Sequence, residues 1–375
     1  MIPFNVPPYT GKEDQYVLEA IHSHKICGDG AFTKRCHAAL EAMTGASKAL
    51  LTTSGTSALE LAAILSNVGA GDEVIMPSFT FSSTANAFAL RGATVVFVDI
   101  EPATMNMDLT CVREAITPRT KVIVPVHYAG VCVDMDALNA MARPRGILVV
   151  EDAAQAVDAY WHGRAAGNLG DIGCYSFHET KNFSMGEGGA ALLSDPRFIE
   201  RAEVVREKGT DRSRFYRGQV DKYTWVDIGS SILPSEINAA YLLAQLEMRA
   251  EVTRNRMARW NQYHAGLAGL TAAGRIGTPH VPEGCTHNAH MYYIKCRDIT
   301  ERTELTAFLK ERGIGAVFHY IPLHSAAAGR KYSRFHGEDR HTTRESERLL
   351  RLPLYYGMTE ADCATVIDAL HAYYR

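Results

Sequence analysis

"DEVIMPSFTFSSTANAFALRGATVVFVDI", Asp72 to Ile100, decides the fold. "DEVIMPS" is an apolar run with almost no polar alternation, and "TVVFVDI" (94–100) is a second. A strand with one wet face alternates; a strand buried on both faces does not. Between them "SSTANAFALR" (82–91) reads as a helix. Strand, helix, strand at this spacing predicts a parallel pair inside a helix-covered sheet.

The same alternation extends both ways. Upstream, "KALLTTS" (48–54) reads as a strand and "TSALELAAILSNV" (56–68) as a helix, with Leu59, Ala62, Ala63 and Leu65 on one stripe. Downstream come "DLTCVREAI" (helix), "KVIVPVH" (strand), "MDALNAMARP" (helix) and "ILVVEDA" (strand). Two shorter strand runs, "IGCYSFH" and "GGAALLS", precede the helix "RFIERAEVVREKG". This predicts a large three-layer α/β/α domain on a mostly parallel sheet. Before it, residues 1–30 read as an arm and "AFTKRCHAALEAM" as a helix stopped near Gly45.

From about residue 235 the texture changes to one or two long amphipathic helices. Beyond them, "HMYYIKC" (strand), "RTELTAFLKERG" (helix), "AVFHYIP" (strand) and a last helix, "EADCATVIDALHAYYR", suggest a small α+β unit. The expected division is 1–250, arm and large domain, and 251–375, small C-terminal α+β domain. "RHTTRESERLLR" (340–351) mixes charge signs and reads as an exposed helix.

Composition narrows the function classes. Apolar residues make up 46% and charged residues 22% of 375, enough for a sizeable core. The balance of 39 basic against 42 acidic residues shows no nucleic-acid footprint. No apolar run approaches the roughly 18 residues of a membrane span, and "MIPFNVPPYTGKEDQ" lacks the pattern of a signal peptide. Eight cysteines are scattered singly without a CxxC pair, so a zinc ribbon is not expected and the reducing cytoplasm fits best. No cluster of His, Cys and acids suggests a metal.

Ligands of open α/β sheets bind at the carboxyl ends of the strands. After "KALLTTS", Gly55, Thr56 and Ser57 open a helix, where backbone N–H groups favour a phosphate; an ordinary helix cap uses the same residues. After "ILVVE", Asp152 is a carboxylate at the end of an apolar strand, with Gln155 three residues on. Such a carboxylate caps the next helix or meets a cation, a protonated pyridine nitrogen for example. After "IGCYSF", "SFHETKNFSMGEGG" (176–189) holds Ser176 and Lys181. An amine desolvated among apolar neighbours becomes nucleophilic at neutral pH and can form a Schiff base. Most lysines are solvated surface charges, but a phosphate cradle, a carboxylate and a confined lysine together are the parts of a pyridoxal phosphate site. Phe81 in "SFTFSS" either stacks on that ring or packs in the core.

At these residues a resemblance is clear. "TTSGTSALELA", "EVIMPSFTFSSTANA", "VIVPVHYAG", "VVEDAAQAV" and "SFHETKN…GEGG" resemble the nucleotide-sugar aminotransferases of pyridoxal phosphate fold type I, over essentially the whole chain. "CGDGAFTKRC", "REKGTDRSRFYRGQVDKYTWVDIGSS", "NAHMYYIK" and "VFHYIPLH" narrow it toward bacterial transaminases that make dTDP-4-amino-4,6-dideoxygalactose for surface polysaccharides. The resemblance implies that Lys181 holds the cofactor and shuttles the proton. Asp152 would keep the pyridine nitrogen protonated, Gln155 would lie near the ring hydroxyl, and Phe81 would stack on the ring. Gly55, Thr56, Ser57 and Ser176 would hold the phosphate. It implies a homodimer with active sites at the subunit interface, L-glutamate as amino donor, and a dTDP-4-keto-6-deoxyhexose as acceptor.

A sugar nucleotide needs cations and hydrogen-bond donors. The candidates are His290 in "NAHMYY", His319 and Tyr320 in "VFHYIPLH", and Arg212 in "DRSRFYRGQ". One departure stands out. Many relatives place an asparagine about four residues before "INAA" that reaches the neighbouring subunit's phosphate, whereas this chain has Leu233, with Ser230 and Ser231 nearby. A related dehydratase has histidine where Lys181 stands, so lysine points to amino transfer. A cofactor-binding regulator on the same fold is the non-enzymatic alternative.

Overall fold

The computed structural model describes residues 1–375. The apolar runs become strands β1 (Lys48–Thr52), β2 (Glu73–Pro77), β3 (Thr94–Val98), β4 (Thr120–Ile123), β5 (Leu148–Asp152), β6 (Ile172–Ser176) and β7 (Gly189–Leu193). The C-terminal part adds β8 (Tyr292–Lys295), β9 (Val317–Phe318), β10 (Ser333–Phe335) and β11 (Leu349–Leu352). Eight of these form one sheet in the order β1-β7-β6-β5-β4-β2-β3-β10. Only β7 runs antiparallel, to β1 and to β6; the other pairs are parallel.

Parallel neighbours need a crossover, and three of the crossover helices are started by a local side-chain cap. Ser54 accepts from the Ser57 N–H at the head of helix Gly55–Leu65. Asp108 caps Leu109–Ala115 and Asp134 caps Met135–Ala142 in the same way. Gly45 ends helix Ala31–Thr44 in a left-handed conformation, φ 74°. Apolar faces of the helices at 55–65, 82–89 and 199–206 bury one side of the sheet. Those at 31–44, 135–142 and 236–247 bury the other. This is a three-layer α/β/α arrangement.

The long helical stretch after residue 235 breaks at Met248 into Glu236–Glu247 and Arg249–Gly266. The second of these packs with Ile299–Glu311 and Glu360–Tyr373 against an antiparallel sheet β8-β11-β9. The chain start joins this layer, since Ile2 bridges Ile314 and is buried there.

Two expectations are corrected, and one strand was not foreseen. "AVFHYIP" is a strand only over Val317–Phe318; the Ser346 hydroxyl holds the Tyr320 carbonyl, and residues 319–322 leave the sheet toward the cavity described below. "RHTTRESERLLR" is not one exposed helix. It is helix Thr342–Arg348 followed directly by β11. Asp99 accepts from the N–H groups of Arg340, His341 and Thr342. Buried Glu345 pairs with Lys295 at 2.9 Å and Arg348 at 3.1 Å, drawing the segment inward. Finally, β10 has no periodicity to read in three residues, yet it pairs in parallel with β3 at the edge of the large sheet. Arg334 on it reaches Glu73 at 3.1 Å.

The glycines of "GEGG" have a defined use at Gly189. It starts β7 directly opposite Thr52 and Ser176. A Cβ there would lie 2.5 Å from the Ser54 carbonyl and 2.6 Å from the Gly55 nitrogen. Only glycine lets this backbone cross the turn that opens helix 55–65.

Candidate active site

β1, β5 and β6 all end at one cavity of about 640 Å³. Ser54, Gly55 and Thr56 line it after β1, Asp152 at the end of β5 with Gln155 beyond it, and Ser176 at the end of β6 with Lys181 beyond it. Phe81, at the head of helix Ser82–Ala89, His290, His319 and Tyr320 complete the set. Of the residues singled out in the sequence, ten therefore share this wall. Ser57 and Arg212 do not line it.

Ser57 lies just behind the wall, its hydroxyl 2.9 Å from that of Ser54 and 3.0 Å from that of Thr53. The Thr56 hydroxyl meets Ser83 at 2.7 Å. The first N–H groups of helix 55–65 lack intrahelical acceptors and face an anion's natural position. A Cβ at residue 55 would be 2.8 Å from the Ser176 Cβ, so glycine there allows the two strand ends to close into one cradle.

Asp152 is buried. Its Oδ2 accepts from the Thr84 hydroxyl at 2.6 Å and its Oδ1 from the Ala154 N–H at 3.2 Å. Gln155 Oε1 accepts from the Ala129 N–H at 2.7 Å, which fixes the amide so that Nε2 donates to the Tyr320 hydroxyl at 3.0 Å. Phe81 is 60% exposed, an apolar ring left facing the cavity rather than the core.

Burial lowers the Lys181 ammonium from the ordinary 10.5 to about 8; the Asp152 carboxylate opposes the shift and the Arg351 guanidinium adds to it. His290 and His319 are pushed well below the usual imidazole range, mainly by burial, so both stay neutral near pH 7. His290 Nδ1 pairs with Asn182 Oδ1 at 3.0 Å and His319 Nδ1 with the Tyr128 hydroxyl at 3.1 Å.

The remaining candidate, Arg212, sits at a second cavity of about 890 Å³ with Lys25, Arg206 and Lys208. It pairs there with Glu207 at 2.9 Å. Leu233 lines that second cavity as well, packed against Gly28. Sequence reasoning missed Arg351, Thr84, Phe4 and Asn5. Arg351 was hidden by reading "LLR" as helix; "LLRL" fits a strand equally well, and as a strand it turns the arginine into the cavity.

The donor set fits one cofactor. A helix N-terminus with hydroxyls suits a phosphate. A buried carboxylate suits a protonated ring nitrogen, an uncovered aromatic face suits a flat ring, and a lysine with depressed proton affinity suits an aldehyde. Fold and site together define a pyridoxal phosphate-dependent aminotransferase.

Comparison with known proteins agrees. The chain belongs to the DegT/DnrJ/EryC1/StrS aminotransferase family, matched over residues 8–371. It is 35% identical to the GDP-perosamine synthase of Caulobacter vibrioides over 97% of this chain and 96% of that protein. The aminotransferase TlmJ of Streptoalloteichus hindustanus superposes with a TM-score of 0.91 at 32% identity, covering 100% of this chain and 99% of that one. Spr1654 of Streptococcus pneumoniae, solved in its PLP form, gives a TM-score of 0.91 at 27% identity over 99% and 98%.

Proposed function

We propose that the enzyme moves the amino group of L-glutamate to C4 of dTDP-4-keto-6-deoxy-D-glucose, giving dTDP-4-amino-4,6-dideoxy-D-galactose and 2-oxoglutarate. The observation that carries the amino transfer is the convergence of Lys181, Asp152 and the 54–56 turn on one cavity. The long shared motifs from "CGDGAFTKRC" to "VFHYIPLH" support the particular sugar. The GDP-perosamine synthase relative favours a second reading, a GDP-linked keto-sugar as acceptor.

When bound, pyridoxal phosphate supplies an aldehyde that carries the amino group and a ring that withdraws electrons from the carbon losing its proton. The protein's residues do the rest. Lys181, neutral in part at pH 7–8, would hold the cofactor and would serve as the base that takes the proton from the donor's α-carbon. Asp152, oriented by Thr84, holds a proton on the ring nitrogen through a charge-assisted hydrogen bond. The turn at 54–56 and Ser176 bind the phosphate and set the ring's position. Gln155 and Tyr320 hold each other at the cavity edge, with the Tyr320 hydroxyl proton free to donate inward. Neutral His290 and His319 offer hydrogen bonds to sugar hydroxyls without a competing charge.

A homodimer with sites at the subunit interface is part of this reading. Tyr216, Trp225, Val226 and Ile228 form an exposed apolar stretch, with Trp225 77% exposed, that a second copy would cover. Arg212 would then act on the partner's substrate. The eight free cysteines suit the reducing cytoplasm.

The test supplies purified enzyme, cofactor and L-glutamate with dTDP- or GDP-4-keto-6-deoxyhexose, and identifies products by mass spectrometry and NMR. The axial 4-amino dTDP-sugar is expected. Efficient turnover of the GDP-sugar alone selects the second reading, and absence of 2-oxoglutarate with either refutes both.

A further inference from the structure

Besides Lys181, the wall of the active-site cavity carries one permanently charged cation, Arg351. It projects from β11 between Leu350 and Leu352, both buried. One Nη donates to the Phe318 carbonyl at 3.1 Å, and the guanidinium lies over the Phe4 ring at 4.7 Å. Its Nε is closed to solvent and has no partner. No carboxylate pairs with it, and the neighbouring phenols Tyr128 and Tyr320, raised by burial, stay neutral. A half-buried guanidinium with no anion beside it is available to one that arrives with the ligands.

The proposed reaction brings four anions: the cofactor phosphate, the acceptor's diphosphate and the donor's two carboxylates, of which the γ-carboxylate lies three bonds from the α-carbon. The cofactor phosphate already has its cradle at the 54–56 turn and Ser176. The acceptor's diphosphate is separated from the reacting carbon by the sugar ring and the glycosidic oxygen. The donor's α-carboxylate is one bond from the carbon whose proton Lys181 takes. Arg351 lies beside His319 and Tyr320 and acts on the charge of Lys181, so it stands near the reacting carbon. The second Nη remains to donate to a carboxylate, a charge-assisted hydrogen bond.

We propose that Arg351 binds the α-carboxylate of the amino donor, a substrate-binding role that rests on the aminotransferase reading above. The donor would then enter with its carboxylate against the stacked Phe4 and Arg351. The N-terminal arm would thereby form part of the donor site.

The test uses Arg351→Gln and Arg351→Lys, loaded with cofactor and checked for native thermal stability and cofactor absorbance. L-2-Methylglutamate, which binds as donor but has no α-proton to lose, is titrated against the absorbance. Loss of one charge-assisted pair weakens binding on the order of 100-fold in Arg351→Gln. Arg351→Lys, which keeps charge without the guanidinium, falls between and serves where the glutamine variant does not fold. The KM for the keto-sugar nucleotide is expected to stay within about threefold of wild type. Unchanged methylglutamate affinity, or a loss confined to the keto-sugar, overturns the proposal. A wild-type protein whose absorbance does not respond to L-glutamate refutes the aminotransferase reading and this inference with it. A responsive wild type with an equally responsive Arg351→Gln refutes this inference alone.

Discussion

Lys181 offers a test that needs neither cofactor nor substrate. Its proton affinity falls from the ordinary 10.5 to about 8 in the folded protein. Between those values the unfolded chain binds more protons than the folded one, so stability rises with pH across the window and is lowest below pH 8. At ~1.36 kcal/mol per unit, the fall from pH 9.5 to pH 7 costs the folded state about 2 kcal/mol. Lys181 is only half-buried, and solvent at the cavity mouth screens its charge, so that figure is a ceiling. Lys181→Met removes the charge and keeps the apolar stem. The assay is urea unfolding of both cofactor-free proteins at equal concentration at pH 7 and pH 9.5. The wild type is expected to lose up to about 2 kcal/mol relative to the variant on acidification. Parallel profiles for the two proteins would show that the cavity does not depress this lysine, and the argument for a neutral nucleophile at pH 7 would fail.

Other outcomes follow from the same geometry. Asp152→Asn exchanges a carboxylate for an amide at the position proposed to meet the ring nitrogen; cofactor affinity should drop about 10- to 100-fold by fluorescence titration, and an unchanged value removes the proposed role. Gly189→Ala drives a methyl group into the Ser54 carbonyl and should cost about 1–3 kcal/mol in urea unfolding while weakening phosphate binding. Glu345→Gln leaves Lys295 and Arg348 without their buried partner, and a loss of about 3 kcal/mol is expected by the same measurement. A loss below about 1 kcal/mol would mean that water already serves these cations.

The large sheet was readable because its strands are buried on both faces, and continuous apolar runs such as Val95–Val98 leave little else to be. The cavity wall was readable for a related reason: its residues lie at or just past the ends of such strands, so finding β1, β5 and β6 located Gly55, Asp152 and Ser176. Elements made by tertiary contact were not. β10 exists because β3 offers an open edge, and the helix at 342–348 is pulled inward by Asp99 and Lys295, remote in sequence. Arg351 went unseen because its direction depends on β11 being a strand, which in turn depends on β8 and β9 lying either side. Arg212 shows the opposite limit. A polar, basic stretch was legible, but one chain folds it onto a separate cavity.

The row Thr52, Gly189, Ser176 has a consequence for how such an enzyme changes over generations. These three residues lie side by side on adjacent strands, so the ends of β1 and β6 are held two backbone ladder steps apart, roughly 10 Å, and the turn at Gly55 closes that gap onto Ser176. Main-chain hydrogen bonds set that spacing, and side-chain drift in the surrounding layers moves the anchors together rather than apart. The parts proposed to meet the two substrates hang on other segments that line the cavity: the N-terminal arm, residues 319–320 and β11. Acceptor and donor preference can therefore be rewritten piece by piece while the cofactor's seat stays fixed.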